Sequence, residues 1–250
     1  MKNLIWILLL SASLVFQSCD NGVDPAMTQT EMTFKAVTSQ NTINSNGRTE
    51  VTGLEFTSAL LGVTEIEIEG PESEEVEDGE EESEEGEEEE NEIEYEGEFV
   101  IDLLNGTSTP DLGVAELPAG NYTELEVEMS PILEDGNTLF LAFNFIPDGA
   151  SDLVYVEYTN QSVLELEIED PNGIVLEEGA ISALIVQLDL DALFSNIDLS
   201  NATTDADGVI RINATSNTDL AYAIAANLAN ALEVGEDNDR DGDLDEDDDD

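Results

Sequence analysis

The sequence contains no histidine, one cysteine and only five basic residues among 250. Without histidine, the chain lacks the side chain that most often serves as a general base near neutral pH. The single cysteine, Cys19, excludes an intramolecular disulfide. Nucleophilic catalysis by a Ser-His or Cys-His pair is therefore excluded.

Positive charge is scarce, whereas acidic residues are abundant. The 61 Asp and Glu residues give a formal net charge of −56. Such a surface repels nucleic-acid phosphates and anionic lipid headgroups, and it attracts cations and basic partners. We therefore predict no nucleic-acid partner. Paired carboxylates arise by chance at this density, so we interpret them as solvated sheet faces rather than catalytic pairs.

The chain has one long apolar run, which occupies residues 4–16 and follows Lys2. It is too short for a permanent transmembrane helix, so residues 1–18 are predicted to be a signal peptide. The Ser18-Cys19 pair that follows resembles the lipobox of bacterial lipoproteins. The resemblance implies that Cys19 is the lipidation site, followed by a polar tether over residues 19–30. The alternative is a simple secretory peptide that happens to contain a cysteine.

The expected location follows from this lipid anchor. Several acyl chains hold a protein stably on a membrane. Asp20, just after the cysteine, resembles the export signal of surface-exposed lipoproteins in some Gram-negative bacteria. We expect anchoring in the outer membrane with the protein facing the cell exterior, and the periplasmic face is the alternative.

Residues 31–234 are predicted to form a β-sandwich domain. In TEIEIE, Ile66 and Ile68 fall on one face and the glutamates on the other, as in a half-buried strand. The segments TELEVEM and LELEIE repeat this alternation, and turn signals rich in Asn, Asp and Gly separate the strands. The pattern predicts an all-β fold, an antiparallel Greek-key sandwich of the immunoglobulin or transthyretin type.

Three segments depart from this alternation. Residues 70–97 are strongly acidic and are predicted to be a disordered insertion between two strands. Residues 218–233 are rich in Ala and Leu and follow capping residues, which predicts one C-terminal α-helix ending at Gly235. Residues 235–250 form an acidic tail.

Residues 98–129 carry a family resemblance. An L-x-N-G turn ends at Gly106, and the segment LGVAELPAGNY runs from Leu112 to Tyr122. These motifs resemble an uncharacterised bacterial lipoprotein domain, domain of unknown function 4382. The resemblance implies a secreted or lipid-anchored β-sandwich and implies no activity. Independently, Tyr122 is expected to pack inward and hydrogen-bond a backbone group, as in a tyrosine corner.

The acidic tail has the spacing of an EF-hand-type calcium loop. Gly242 stands at loop position 6, where the backbone must turn, and the apolar Leu244 stands at position 8. Carboxylates occupy positions 1, 3, 5, 7, 9 and 12, which are Asp237, Asp239, Asp241, Asp243, Asp245 and Asp248. Calcium is the cofactor that this pattern favours, and a purely solvating tail is the alternative. The shorter segment DADGVI, residues 205–210, is interpreted as a hairpin turn.

The function predicted from these features is a non-enzymatic, lipid-anchored binding module at the cell envelope. Its membrane contact is the lipid anchor, and its ligand is an unidentified protein or glycan. The first alternative is a structural or accessory subunit of a surface assembly, as in fimbria-like lipoproteins. The second is an enzyme acting on envelope glycans, which requires two carboxylates converging in a cleft.

Overall fold

The computed structural model describes residues 27–38, 43–44, 48–51, 53–69, 92–147, 151–237 and 244. These residues form the predicted all-β, sandwich-like fold of two sheets. The strands are β1 Met27–Val37, β2 Ile43–Asn44, β3 Arg48–Val51, β4 Leu54–Glu69, β5 Glu92–Asp102, β6 Thr107–Thr109, β7 Val114–Pro118, β8 Gly120–Met129, β9 Leu139–Phe145, β10 Val154–Asn160, β11 Leu164–Leu176, β12 Ile181–Asp189, β13 Ile210–Ile212 and β14 Leu232–Glu236. The helices are α1 Leu190–Leu193 and α2 Thr218–Asn227, with 3-10 turns at Glu134–Gly136, Leu199–Asn201 and Leu228–Asn230.

The larger sheet is organised around β4. Strands β8 and β9 pair antiparallel with the same edge of β4, β8 from Val63 onward and β9 up to Leu61. Residues 130–138 leave the sheet between these two strands, so β8 and β9 together act as one interrupted strand alongside β4. On the side away from β4, β11 pairs antiparallel with β8 and β10 pairs antiparallel with β9. Strand β5 occupies the other edge of β4.

The interruption between β8 and β9 is fixed by Gly62. Its backbone N–H donates to the Thr138 carbonyl at 2.8 Å, and its carbonyl accepts from the Ser130 N–H at 3.0 Å. A Cβ atom at this position would lie 2.6 Å from both the Ser130 carbonyl oxygen and Ile132 Cγ1. Only glycine therefore lets the excursion approach the strand so closely.

The smaller sheet has the order β14-β12-β1-β7. Strands β1 and β12 run parallel, which departs from the antiparallel pattern that was predicted throughout. Parallel neighbours need a long connection, and here most of the domain separates the two strands in sequence. A second parallel pair joins β10 and β13 in the larger sheet, so the DADGVI segment is a turn but does not lead into a hairpin.

The core lies between the sheets, and Tyr122 closes one corner of it. Its hydroxyl donates a 2.6 Å hydrogen bond to the carbonyl oxygen of Pro118, and its ring is almost fully buried. The predicted tyrosine corner is thereby confirmed. At the other end, the rings of Phe56, Phe143 and Phe194 pack together with centroids 5.0–5.5 Å apart.

Two predicted boundaries at the N-terminal side were wrong. Strand β1 begins at Met27, inside the predicted tether, because Thr28 is buried and its hydroxyl donates to the Ala180 carbonyl. The end of the predicted disordered insertion belongs to β5 from Glu92 onward, because these residues alternate and pair with β4. The remainder of that insertion, 70–91, lies outside the described residues.

The predicted helix over 218–233 was too long. It ends at Asn227, a 3-10 turn follows, and Leu232–Glu236 forms β14. Gly235 therefore lies inside a strand rather than at a helix C-terminus. Pairing with β12 at the sheet edge overrides the helical preference of this Ala- and Leu-rich segment, since tertiary contacts outweigh small differences in propensity.

Candidate functional site

Most of the predicted site residues lie outside the described part of the chain. They are the lipidation site Cys19 and the loop carboxylates Asp239, Asp241, Asp243, Asp245 and Asp248. Asp237 and Leu244, at loop positions 1 and 8, are described. Within the described ranges, no group of three or more Asp, Glu, Cys or His side chains is arranged to hold a metal ion.

Asp237 lies directly after β14 and is held by the sheet. Its backbone N–H donates to the Ala183 carbonyl at 2.9 Å, which extends the ladder between β14 and β12. Only 7% of the residue is exposed. Position 1 of the predicted loop is therefore attached to a rigid element at the end of a strand.

Leu244 lies against Gly235 of β14. A methyl group built on Gly235 would lie 2.7 Å from Leu244 Cδ2. The chain therefore returns to β14 within nine residues, and the missing side chain of Gly235 leaves the room that Leu244 occupies. The apolar residue of the predicted loop is thus in contact with the sheet.

Four neighbouring strands of the larger sheet carry a surface that the sequence did not reveal, which we call the glutamate ladder. It comprises the paired residues Glu94, Glu96, Glu65, Glu67, Glu126, Glu128, Glu165 and Glu167, on β5, β4, β8 and β11. Their sequence neighbours Ile66 and Val127 point into the core. Each strand showed its own alternation, but only the register brings the eight carboxylates onto one face.

The crowding of the ladder changes the acidity of two of its carboxyl groups in opposite directions. A hydrogen bond with Glu165 raises the pKa of Glu126, helped by partial burial and by the nearby charges of Glu165, Glu124 and Glu167. Glu128 accepts hydrogen bonds from Thr64 Oγ1 at 2.6 Å and Ser130 Oγ at 3.0 Å, which lower its pKa. Glu126 thus holds a proton more readily than an ordinary glutamate.

A second ionic cluster surrounds Arg211 on β13. Its guanidinium group bonds to Glu157 Oε2 at 3.1 Å, Asp205 Oδ2 at 2.8 Å and Asp207 Oδ2 at 2.9 Å. The acidic residues of the DADGVI turn are therefore partners of an arginine. These contacts lower the pKa of Asp207 and raise that of Arg211. The scarcity of basic residues was the signal that could have identified this cluster.

A small pocket opens between the two sheets. It is lined by Thr30, Met32, Ile66, Tyr95, Leu112 and Gly113. Its cavity volume is about 10 Å³, which is room for about one water molecule. The Thr30 hydroxyl is buried without a hydrogen-bond partner. No carboxylate lines this pocket. The Glu126–Glu165 pair lies elsewhere, on the open face of the larger sheet.

The described residues thus define a strongly acidic, sandwich-like β architecture. The family model described as Domain of unknown function (DUF4382) matches residues 52–221. The chain belongs to this family. No curated protein and no solved structure matches the chain. None of the described helices has the length and apolar character needed to cross a membrane.

Proposed function

We propose that this protein is a lipid-anchored β-sandwich of the cell envelope that binds a partner without catalysis and carries a calcium ion in its C-terminal loop. The proposed anchor is Cys19, and the proposed location is the outer membrane with the domain facing the exterior. The anchor rests on the apolar run and the Ser18-Cys19 pair, and the binding role rests on the acidic face of the sandwich-like fold.

The observation that carries the calcium proposal is the position of Asp237. Calcium takes six to eight oxygen ligands, and affinity rises when these are already in place. Asp237 is the first carboxylate of the D-x-D-x-D-G series, and the hydrogen bond to Ala183 fixes its backbone. A first ligand held on a strand lowers the entropy lost when the following carboxylates close around an ion.

The glutamate ladder supports the choice of a binding role over an enzymatic one. Its carboxylates lie in rows on a sheet face, whereas glycoside hydrolysis needs a carboxylate pair on either side of a bound sugar. A face of this charge favours partners that are basic or that approach with counterions. The partner of this surface is therefore expected to be cationic where it makes contact.

Calcium calorimetry on the mature chain, residues 19–250 with Cys19→Ser, tests the metal proposal. We expect saturable binding of about one ion, with a Kd in the range of roughly 0.1–1 mM that is typical of extracellular modules. The double variant Asp239→Asn with Asp241→Asn should abolish it. The matched control, Asp249→Asn with Asp250→Asn, removes the same charge outside the loop and should bind normally.

Two results would contradict the metal proposal. One is heat that does not saturate, and the other is equal loss of binding in both double variants, since each would indicate a diffuse counterion atmosphere.

The lipid anchor is tested separately in the full precursor. Cys19→Ser should abolish acylation and release the protein from membranes, and an unchanged membrane fraction would exclude Cys19 as the anchor.

A further inference from the structure

The smaller sheet has a buried face on the side opposite the core. Val186 and Val234 point into the core, so their paired neighbours Ile185 and Gly235 point away from it. In a two-layer sandwich such an outer face is expected to contact solvent. Yet Ile185 is 0% exposed and Ala183, also on this face, is 8% exposed. Something therefore covers this part of the sheet.

Leu244 is one described residue whose side chain lies against this face. It contacts the position where Gly235 has no side chain, and Gly235 is the direct partner of Ile185 across the β12–β14 pair. A fully buried isoleucine is more stabilising than an exposed one, so the cover over Ile185 contributes to the stability of the fold. The missing side chain of Gly235 leaves a notch in the surface of β14, and the side chain of Leu244 occupies this notch.

We propose that the segment after Asp237 docks on the outer face of the smaller sheet as a partial third layer, with Leu244 in the notch left by Gly235. The position of Leu244 supports this occupant, because this residue, seven positions after Asp237, already reaches β14. The face carries Glu31, Glu116 and Glu233 as well as Lys35, so the docking rests on the apolar contact of Leu244 and not on charge. The docking does not require calcium, although it would hold the loop carboxylates near Asp237.

A cysteine probe tests this docking in the mature chain carrying Cys19→Ser, which then has no other thiol. In the variant Ala183→Cys the new thiol lies beneath the proposed cover, and a thiol reagent should label it slowly in EDTA. Adding Leu244→Ser should increase the labelling rate at least tenfold. The control is Ile181→Cys on the same face, where Ile181 is 65% exposed, and its labelling should be fast with or without Leu244.

A matched substitution separates loss of the anchor from general destabilisation. Leu153 lies elsewhere on the surface and is 58% exposed. Leu153→Ser also removes an apolar side chain, and it should leave the labelling rate of the Ala183→Cys thiol unchanged. Gly235→Val fills the notch with a strand-favouring residue, so it should expose the Ala183→Cys thiol while the sheet remains folded by circular dichroism. Equal labelling rates with and without Leu244 would overturn the proposal. Protection that falls on dilution would assign the cover to a second copy of the chain and would also overturn it.

A calcium arm distinguishes this inference from the proposed function. Protection in EDTA that depends on Leu244 supports docking even if calorimetry detects no calcium site. Saturable calcium binding without any Leu244-dependent protection would leave the metal site in place and exclude the docking.

Discussion

The Tyr122 hydroxyl donates a 2.6 Å hydrogen bond to the Pro118 carbonyl oxygen, four residues earlier in the chain. The bond joins the end of β7 in the smaller sheet to the start of β8 in the larger one. It therefore fixes the corner where the chain passes between the two layers. Burial raises the pKa of this tyrosine to about 12, so the hydroxyl remains a donor throughout the physiological range.

Replacing Tyr122 by Phe should lower the free energy of unfolding by about 1–2 kcal/mol, because the ring still fits but the Pro118 carbonyl loses its partner. Urea unfolding followed by circular dichroism measures this change. Tyr222 is 72% exposed, so Tyr222→Phe is the control and should leave the free energy of unfolding unchanged. A Tyr122→Phe protein as stable as the parent would mean that water replaces the tyrosine hydroxyl.

Gly62→Ala should destabilise the protein by about 1–3 kcal/mol, the usual cost of overpacking. The added methyl group meets the Ser130 carbonyl oxygen, which is part of the backbone and cannot rotate away. Thermal unfolding measures the loss, and Ser58→Ala in the same strand serves as the control. If Gly62→Ala unfolds at the temperature of the parent, the excursion of residues 130–138 must be able to move away from β4.

The raised pKa of Glu126 predicts a distinct pH dependence. An acid whose pKa is higher in the folded state favours folding at low pH, and this contribution is lost as pH rises through the raised pKa. Around Glu126 the facing groups are all acidic, Glu67 and Glu167 in register and Glu124, Glu128 and Glu165 nearby. Lowering the pH from 7 toward the raised pKa should therefore relieve repulsion within the ladder.

Glu126→Gln should accordingly raise the melting temperature at pH 7 and reduce its dependence on pH just above the ordinary glutamate pKa. Salt should narrow the difference from the parent, since it screens exposed charges. Glu178→Gln, an exposed residue outside the ladder, is the control for the loss of one negative charge. Equal stabilisation by both variants would attribute the effect to net charge and not to the ladder.

Arg211→Gln should lower the melting temperature, because three carboxylates lose their shared cation. The pKa of Asp207 should rise toward its ordinary value of 3.8, and NMR titration of the carboxyl carbon measures this directly. A carboxyl group whose pKa is lowered in the folded state stabilises the protein at pH values above its ordinary pKa, and this contribution is lost as the pH falls through the lowered pKa. The variant lacks this contribution, so its melting temperature should fall less steeply in acid. An Asp207 pKa that stays low would assign the shift to the backbone N–H of Val209 instead.

Much of the fold could be predicted from the sequence because alternation is a local property. The pattern around Ile66 and Val127 identified which residues of each strand face the core, and the structure confirms both as buried. The Pro118-to-Tyr122 motif identified the corner for the same reason, since donor and acceptor are four residues apart. The calcium loop and the lipidation site stay predictions, because most of their residues lie outside the described ranges.

The helix boundary and the length of the insertion could not be predicted reliably, because long-range pairing decides them. Residues 232–236 follow a helical segment without a local break, and they become a strand because β12 offers an unpaired edge. Residues 92–97 still include three glutamates among six residues, yet they pair with β4. In both segments a partner far away in sequence outweighs the local composition.

The sequence by itself determined the charge, the absence of His-based chemistry and the inward or outward direction of the side chains along each strand. Only the tertiary structure decided that four acidic strands lie side by side, and that Gly235 receives Leu244. The physical reason is that side-chain alternation depends on neighbouring residues, whereas register and sheet order depend on hydrogen bonds between distant segments.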